Sequence, residues 1–84
     1  MNNSELFSGV AAEVARTLGC DVSHIGRTTC AADVESWNSL NNVKLLINLE
    51  RRFKIRFTGV ETASLENVGQ LADLIATKVT PAAR

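Results

Sequence analysis

The sequence predicts an all-α fold: a small four-helix bundle of three main helices plus one short helix, with a long loop between helices 1 and 2. Three observations carry this reading. Apolar residues recur at three- and four-residue intervals over three long segments, which is the period of an amphipathic helix. Side chains with capping chemistry stand just ahead of the segments, and Gly19 and Pro81 stand just beyond the first and the last. The one polar-apolar alternation, Lys54-Ile55-Arg56-Phe57, has no second strand to pair with.

The first helix is expected over about residues 4 to 18. Asn2, Asn3 and Ser4 all offer capping side chains, Glu5 suits the positive end of the helix dipole, and Leu6, Phe7, Val10, Ala11, Val14 and Leu18 form the stripe. Gly19 is the expected C-terminal stop. From residue 20 to 35 no period holds, so this is a loop, with Val22, Ile25 and Val34 expected to point inward. His24 lies in it beside Asp21 and Arg27; with no Ser or Cys partner at hand it reads as a solvated or hydrogen-bonded side chain.

The second helix should start at Ser39 and end near Arg52 or Phe53. Asn38 is its N-cap, so the Ser39 hydroxyl sits at an exposed corner of the first turn, where a phosphate or phosphodiester is favourably held. On a helical wheel Leu45, Leu46, Leu49 and Phe53 share one side, the core side. Leu40, Val43 and Ile47 fall roughly opposite, with a rim of Asn41, Lys44, Asn48 and Arg51. That second stripe is either packed under another element or left for a partner. Trp37, the sole tryptophan, directly precedes the cap; it is either a hydrophobic staple on the first turns or a shield and contact beside whatever Ser39 bears.

After the helix, residues 54–57 should be an extended connector with Ile55 and Phe57 inward. Arg51, Arg52, Lys54 and Arg56 are the local basic excess, read as a solvated face or as a docking patch for an acidic partner or for the phosphates of coenzyme A. Thr58 and Glu61 have capping-box spacing and open a short helix over about residues 59 to 64. Asn67, with Gln70 three positions on, caps the last helix, whose inner side is Val68, Leu71, Ala72, Ile75 and Val79. The expected organisation is one domain over residues 1–80 with a flexible tail at 81–84.

Composition narrows the functional classes. Nine basic and nine acidic residues give zero net charge, which argues against nucleic acid as the main partner and against a helix-turn-helix DNA binder built on residues 51–56. With 5% aromatics among 45% hydrophobic residues, the core is aliphatic. Cys20 and Cys30 lack neighbouring ligands at metal spacing and read as reduced thiols of a cytoplasmic protein. The N-terminal residues show no signal-peptide pattern, and no apolar run approaches the ~18 residues of a membrane span, so no membrane insertion is expected. Glycines are scattered without a phosphate-binding loop, and no acid pair or Ser-His-acid pattern stands out, so the chain is not expected to be an enzyme or to hold a metal.

The block Trp37-Asn38-Ser39-Leu40, the run Leu45-Leu46-Ile47-Asn48-Leu49-Glu50, the Phe53 and Ile55-Arg56-Phe57 segment and the run Val68 to Ile75 together resemble an acyl carrier protein. In that family an Asp-Ser-Leu motif opens the second helix and its Ser bears a 4′-phosphopantetheine arm made from coenzyme A. The resemblance implies that Ser39 is the attachment point, with Asn38 and Trp37 flanking it. It implies a docking stripe of Leu40, Val43, Lys44, Ile47 and Arg51, and a crevice for an acyl chain formed by Asn42, Leu46, Leu49 and Phe57. The implied function is to hold an acyl intermediate as a thioester and present it, as a monomer, to a phosphopantetheinyl transferase and to acyl-loading and acyl-transfer enzymes. Two departures stand out. The motif Asp is Asn38 here, and the second helix, acidic in most of the family, carries Lys44, Arg51 and Arg52 against Glu50 alone. The first removes a charge that the modifying transferase is expected to use, and the second points away from ordinary fatty-acid synthase partners to a specialised biosynthetic pathway. The alternatives are an aminoacyl or peptidyl carrier, or a helical protein-interaction domain without a prosthetic group.

Overall fold

The computed structural model describes residues 3–79, and they form the all-α bundle: α1 (Asn3–Leu18), α2 (Ser39–Phe53), α3 (Gly59–Ala63) and α4 (Val68–Val79). The expected caps at Asn2 and the stop at Pro81, like the tail at 81–84, lie outside the described residues. Gly19 takes the left-handed conformation at φ +72°, and the Cys20 N–H reaches back to the Ala15 carbonyl at 3.0 Å, closing α1 as a Schellman turn.

The segment expected as plain loop contains two single 3₁₀ turns, Val22–His24 and Ala31–Asp33. Short acidic side chains create them: the Asp21 carboxylate accepts from the Ser23 N–H at 2.9 Å, and the Asp33 carboxylate accepts from the Cys30 N–H at 3.0 Å. The first turn also corrects one inward assignment. It carries the chain outward at Val22, which is 49% exposed, and returns it at Ile25, which is buried; Val34 packs half-buried on the core.

Leu6, Val10, Val14 and Leu18 of α1 pack against Leu45 and Leu49 of α2 and against Val68, Leu71 and Ile75 of α4 in one aliphatic core. Glu13 lies among them, 4% exposed, although its charge hides it from any apolar stripe. Its carboxylate accepts from Arg52 of α2 at 3.1 Å, and Arg16 approaches the other oxygen at 3.1 Å. Arg52 therefore leaves the solvated basic run to which the sequence assigned it and becomes a tie between two helices, as a buried acid requires.

The loop is fixed to α4 through backbone. Thr29 and Arg27 offer carbonyls to the N–H groups of Val68 (2.9 Å) and Gly69 (2.8 Å), and Asn67 Oδ1 takes the Gln70 N–H at 2.8 Å, so the orphan donors of the first turn are filled. The approach is close: a Cβ on Gly69 would stand 2.9 Å from the Arg27 carbonyl oxygen. The Arg27 guanidinium reaches Asp73 at 2.8 Å.

Lys54 ends α2 in the left-handed conformation, φ 57° and ψ 50°. The Glu50 carboxylate then accepts the Phe57 N–H at 2.9 Å, and Ile55 and Phe57 lean half-buried on the core. Thr58 and Glu61 form the reciprocal capping box at 2.9 and 3.1 Å, and the Lys78 ammonium of α4 lies 2.9 Å from Glu61. Hydrogen bonding to Lys78 first, and to the Thr58 backbone second, holds the Glu61 carboxyl below its ordinary value.

Candidate functional site

The start of α2 is held from three sides. Asn38 has extended backbone, and its side-chain oxygen accepts from the Asn41 N–H at 2.9 Å. The Asn41 amide donates to the Ser36 carbonyl at 2.8 Å, and the Ser36 hydroxyl donates to the Leu18 carbonyl at the end of α1 at 2.7 Å. Trp37 packs half-buried against the core and donates its indole N–H to Asn42 Oδ1 at 3.0 Å. The tie of Trp37 to the first turn is thus a hydrogen bond and not the apolar contact of a staple, and its ring lines the same crevice as Ser39.

Ser39 stands on this support as the first residue of the helix, with an exposed side chain that makes no hydrogen bond to any described residue. The backbone N–H groups of Ser39 and Leu40 are likewise without an acceptor among the described residues. Two free donors and the positive end of a four-turn helix surround one accessible hydroxyl, an arrangement that suits an attached anion.

Beside Ser39 opens a crevice of about 400 Å³, walled by Trp37, Asn38, Ser39, Asn42 and Leu46 on one side and by Thr62, Leu65, Glu66, Asn67 and Leu71 on the other, with Ala31 at its edge. Asn42 and Leu46 stand where a crevice was expected. Leu49 and Phe57 do not, and this corrects the expected lining: Leu49 is wholly enclosed in the core, and Phe57 is tied to Glu50, about three helical turns along α2 from Ser39. The third helix was expected to face the core-side stripe of α2, and Thr62 near its end does line the crevice; the rest of the opposite wall, Leu65, Glu66 and Asn67 of the connector and Leu71 of α4, is marked by no periodicity in the sequence.

Along the outer face of α2, Leu40, Val43 and Ile47 are 65%, 53% and 43% exposed, and Lys44 and Arg51 are exposed beside them. No element of the described residues covers this stripe. Asn48, expected on its rim, turns instead to α1, donating to the Thr17 hydroxyl at 3.0 Å. His24 is exposed, both cysteines are free, and no group of three or more potential metal-ligating side chains is found among the described residues. No described helix is long and apolar enough to cross a membrane.

Fold and site together define a small helical domain that presents a hydroxyl. Comparison with known proteins carries this further. No family model matches the chain. An acyl carrier protein of Thermosynechococcus vestitus is 32% identical over 79 residues, and one of Guillardia theta 29% identical over 79 residues; each match covers 94% of this chain and 98% of the relative. The solution NMR structure of a holo acyl carrier protein from Geobacter metallireducens superposes with a TM-score of 0.84 at 31% identity, covering 92% of this chain and 88% of that one. The chain belongs to the acyl carrier protein family. Members of this family are carriers and not enzymes, and their prosthetic group is 4′-phosphopantetheine.

Proposed function

We propose that Ser39 Oγ carries the 4′-phosphopantetheine arm and that the chain holds an acyl intermediate on it for partner enzymes of a specialised biosynthetic pathway. The observation that supports this most directly is the exposed, unbonded Ser39 hydroxyl at the capped start of α2, beside two free backbone donors. Attachment by a phosphopantetheinyl transferase forms a bond from Ser39 Oγ to phosphorus of coenzyme A, releases 3′,5′-adenosine diphosphate and frees the hydroxyl proton. The arm supplies a terminal thiol, on which cargo rides as a thioester.

The chain's own residues do the rest. Asn38 fixes the helix start, the N–H groups of Ser39 and Leu40 would be the donors available to the phosphodiester, and Trp37, braced by Asn42, keeps the base of the site firm. The crevice between α2 and the start of α4 offers shelter to the first part of a cargo. Its lining is mixed, with Trp37, Leu46, Leu65 and Leu71 beside Asn42, Thr62, Glu66 and Asn67, so it accommodates an acyl group, and an aminoacyl cargo is the second reading. Acyl-loading and acyl-transfer enzymes are the partners, and two free thiols fit a reducing cytoplasm.

The test is direct. The purified chain, incubated with coenzyme A, magnesium and a broad-specificity phosphopantetheinyl transferase, should gain the mass of phosphopantetheine, and Ser39→Ala should gain nothing. No gain in the wild type, or a gain that survives Ser39→Ala, rejects the assignment.

A further inference from the structure

The ion pairs of the molecule leave an uneven remainder. Among the described residues Arg16 and Arg52 meet Glu13, Arg27 meets Asp73, and Lys78 meets Glu61. The basic side chains of the described residues without such a partner are Lys44, Arg51, Lys54 and Arg56, all on α2 or the connector that follows it. Residues 39–57 hold five basic side chains and one acidic, a net charge of +4, so in a chain of zero net charge the remainder carries −4. Even the one acid, Glu50, has its carboxylate engaged with the Phe57 N–H.

These cations border the exposed apolar ridge. Leu40, Val43 with Lys44, Ile47 and Arg51 follow one another at three- and four-residue steps and so share one face of the helix, and Lys54 caps its C-terminal end. At that end Ile47 and Ile55 line a groove together with Arg51, Lys54, Arg56 and Glu50, the last with its carboxylate bonded to the Phe57 N–H. Part of this charge complements the negative end of the α2 dipole, but that does not place Lys44 mid-helix or leave Leu40, Val43 and Ile47 bare. An apolar ridge with a predominantly basic rim is the form of a docking face, in which the ridge gives affinity and the rim gives orientation, on-rate and choice of partner.

From this we infer that the α2 face docks onto protein partners whose apolar binding groove is rimmed with carboxylates, and that it rejects partners whose groove is rimmed with basic residues. That the partner is an enzyme rests on the carrier reading above; the charge preference does not. An anionic lipid surface shares the charge but not the fit. The ridge has three aliphatic residues and no aromatic anchor, and lying flat on a membrane would pin Ser39 away from any active site.

The experiment uses the full 84-residue chain, isotope-labelled. It is titrated with two synthetic amphipathic helical peptides that share one leucine face, one flanked by glutamates and the other by lysines. Vesicles of phosphatidylcholine with phosphatidylglycerol form a third arm. The expected result is binding of the glutamate-flanked peptide at least about tenfold tighter than the lysine-flanked one, with amide shifts confined to residues 40–57. Raising salt from about 0.02 M to about 0.5 M should erase most of that preference as the screening length shrinks to a few ångströms. Lys44→Glu with Arg51→Glu should invert it, and circular dichroism establishes that this variant is folded. Equal affinity for the two peptides, no binding of the acidic one, or shifts on another face overturns the inference; shifts at residues 40–57 with vesicles and none with peptide overturns it in favour of lipid. Transfer of phosphopantetheine to Ser39 is read separately by mass. A chain that is modified but shows no peptide preference loses only this inference, and one that shows the preference but is never modified loses only the carrier reading.

Discussion

Gly69 gives the sharpest test of how the long loop is held. An alanine Cβ there would lie 2.9 Å from the Arg27 carbonyl oxygen, 3.1 Å from Arg27 Cβ and 3.2 Å from Arg27 Nε. The nearest of these atoms is backbone, and it is the same oxygen that accepts the Gly69 N–H at 2.8 Å. The contact is relieved only by moving the loop, which lengthens that bond and the neighbouring one from Val68 to Thr29. Overpacking at such a site costs about 1–3 kcal/mol, and weakening one backbone hydrogen bond adds about 1 kcal/mol. Against this, alanine gains at most ~1 kcal/mol of helix propensity, and less in a first turn. The net for Gly69→Ala is a loss of roughly 1–4 kcal/mol, which for a domain of this size lowers the melting temperature by about 4–30 °C.

The control is Gly59, which opens α3 without a left-handed backbone and where an added Cβ would meet nothing within 4 Å beyond its own chain neighbours. Gly59→Ala should be neutral or stabilising by up to ~1 kcal/mol. Thermal melts followed by circular dichroism compare the two, and amide exchange reports whether the Val68 and Gly69 N–H groups lose protection. A Gly69→Ala protein that melts at or above the wild-type temperature, with those amides still protected, would refute the account of the loop as pinned by backbone contact.

Two further outcomes are expected. Asn38→Asp keeps the capping oxygen and adds a negative charge at the positive end of α2, so it should hold or raise stability by about 0.3–1 kcal/mol and should speed transfer to Ser39 in a mass-spectrometric time course; an unchanged rate removes the charge argument. Glu61→Gln tests a pH linkage: because Lys78 holds the folded-state carboxyl below its ordinary value of 4.5, the group adds stability above that pH and loses it as pH falls through the lower folded value. The variant should therefore melt below the wild type at pH 7, with the gap closing below about pH 4.5; a gap independent of pH contradicts the linkage.

Much of the fold is legible in the chain because its signals are local. Thr58 with Glu61, Asn67 with Gln70, Asn38 before Ser39 and Gly19 after Leu18 each specify a helix end through atoms a few residues apart, and each does so in the structure. What sequence reading misses is long-range. Glu13 is buried because Arg52, 39 positions away, meets it, and neither residue's neighbours announce the pairing. Gly69 looks like a weak point in a helix until Arg27 is placed against it. The third helix was expected opposite the crevice and Thr62 lies there, but the share taken by the connector after it and by Leu71 is hidden for the same reason, and so is the loss of Leu49 and Phe57 from the lining: a wheel sorts residues by side but does not say how deeply each is enclosed.

The same helix is thus asked to do two things that conflict in most small domains. Its N-terminus must stay open, yet a helix start with free donors and an exposed apolar ridge is a weak structure in isolation. The bundle resolves this by placing its strongest ties on the inner and rear sides of α2: Leu45 and Leu49 in the core, Glu13 on Arg52, Thr17 on Asn48, Ser36 on Leu18 and Asn41. None of these contacts uses Ser39, Leu40, Val43, Lys44, Ile47 or Arg51. Rigidity is supplied from behind, so docking on the forward face, as proposed, would leave the helix in its place.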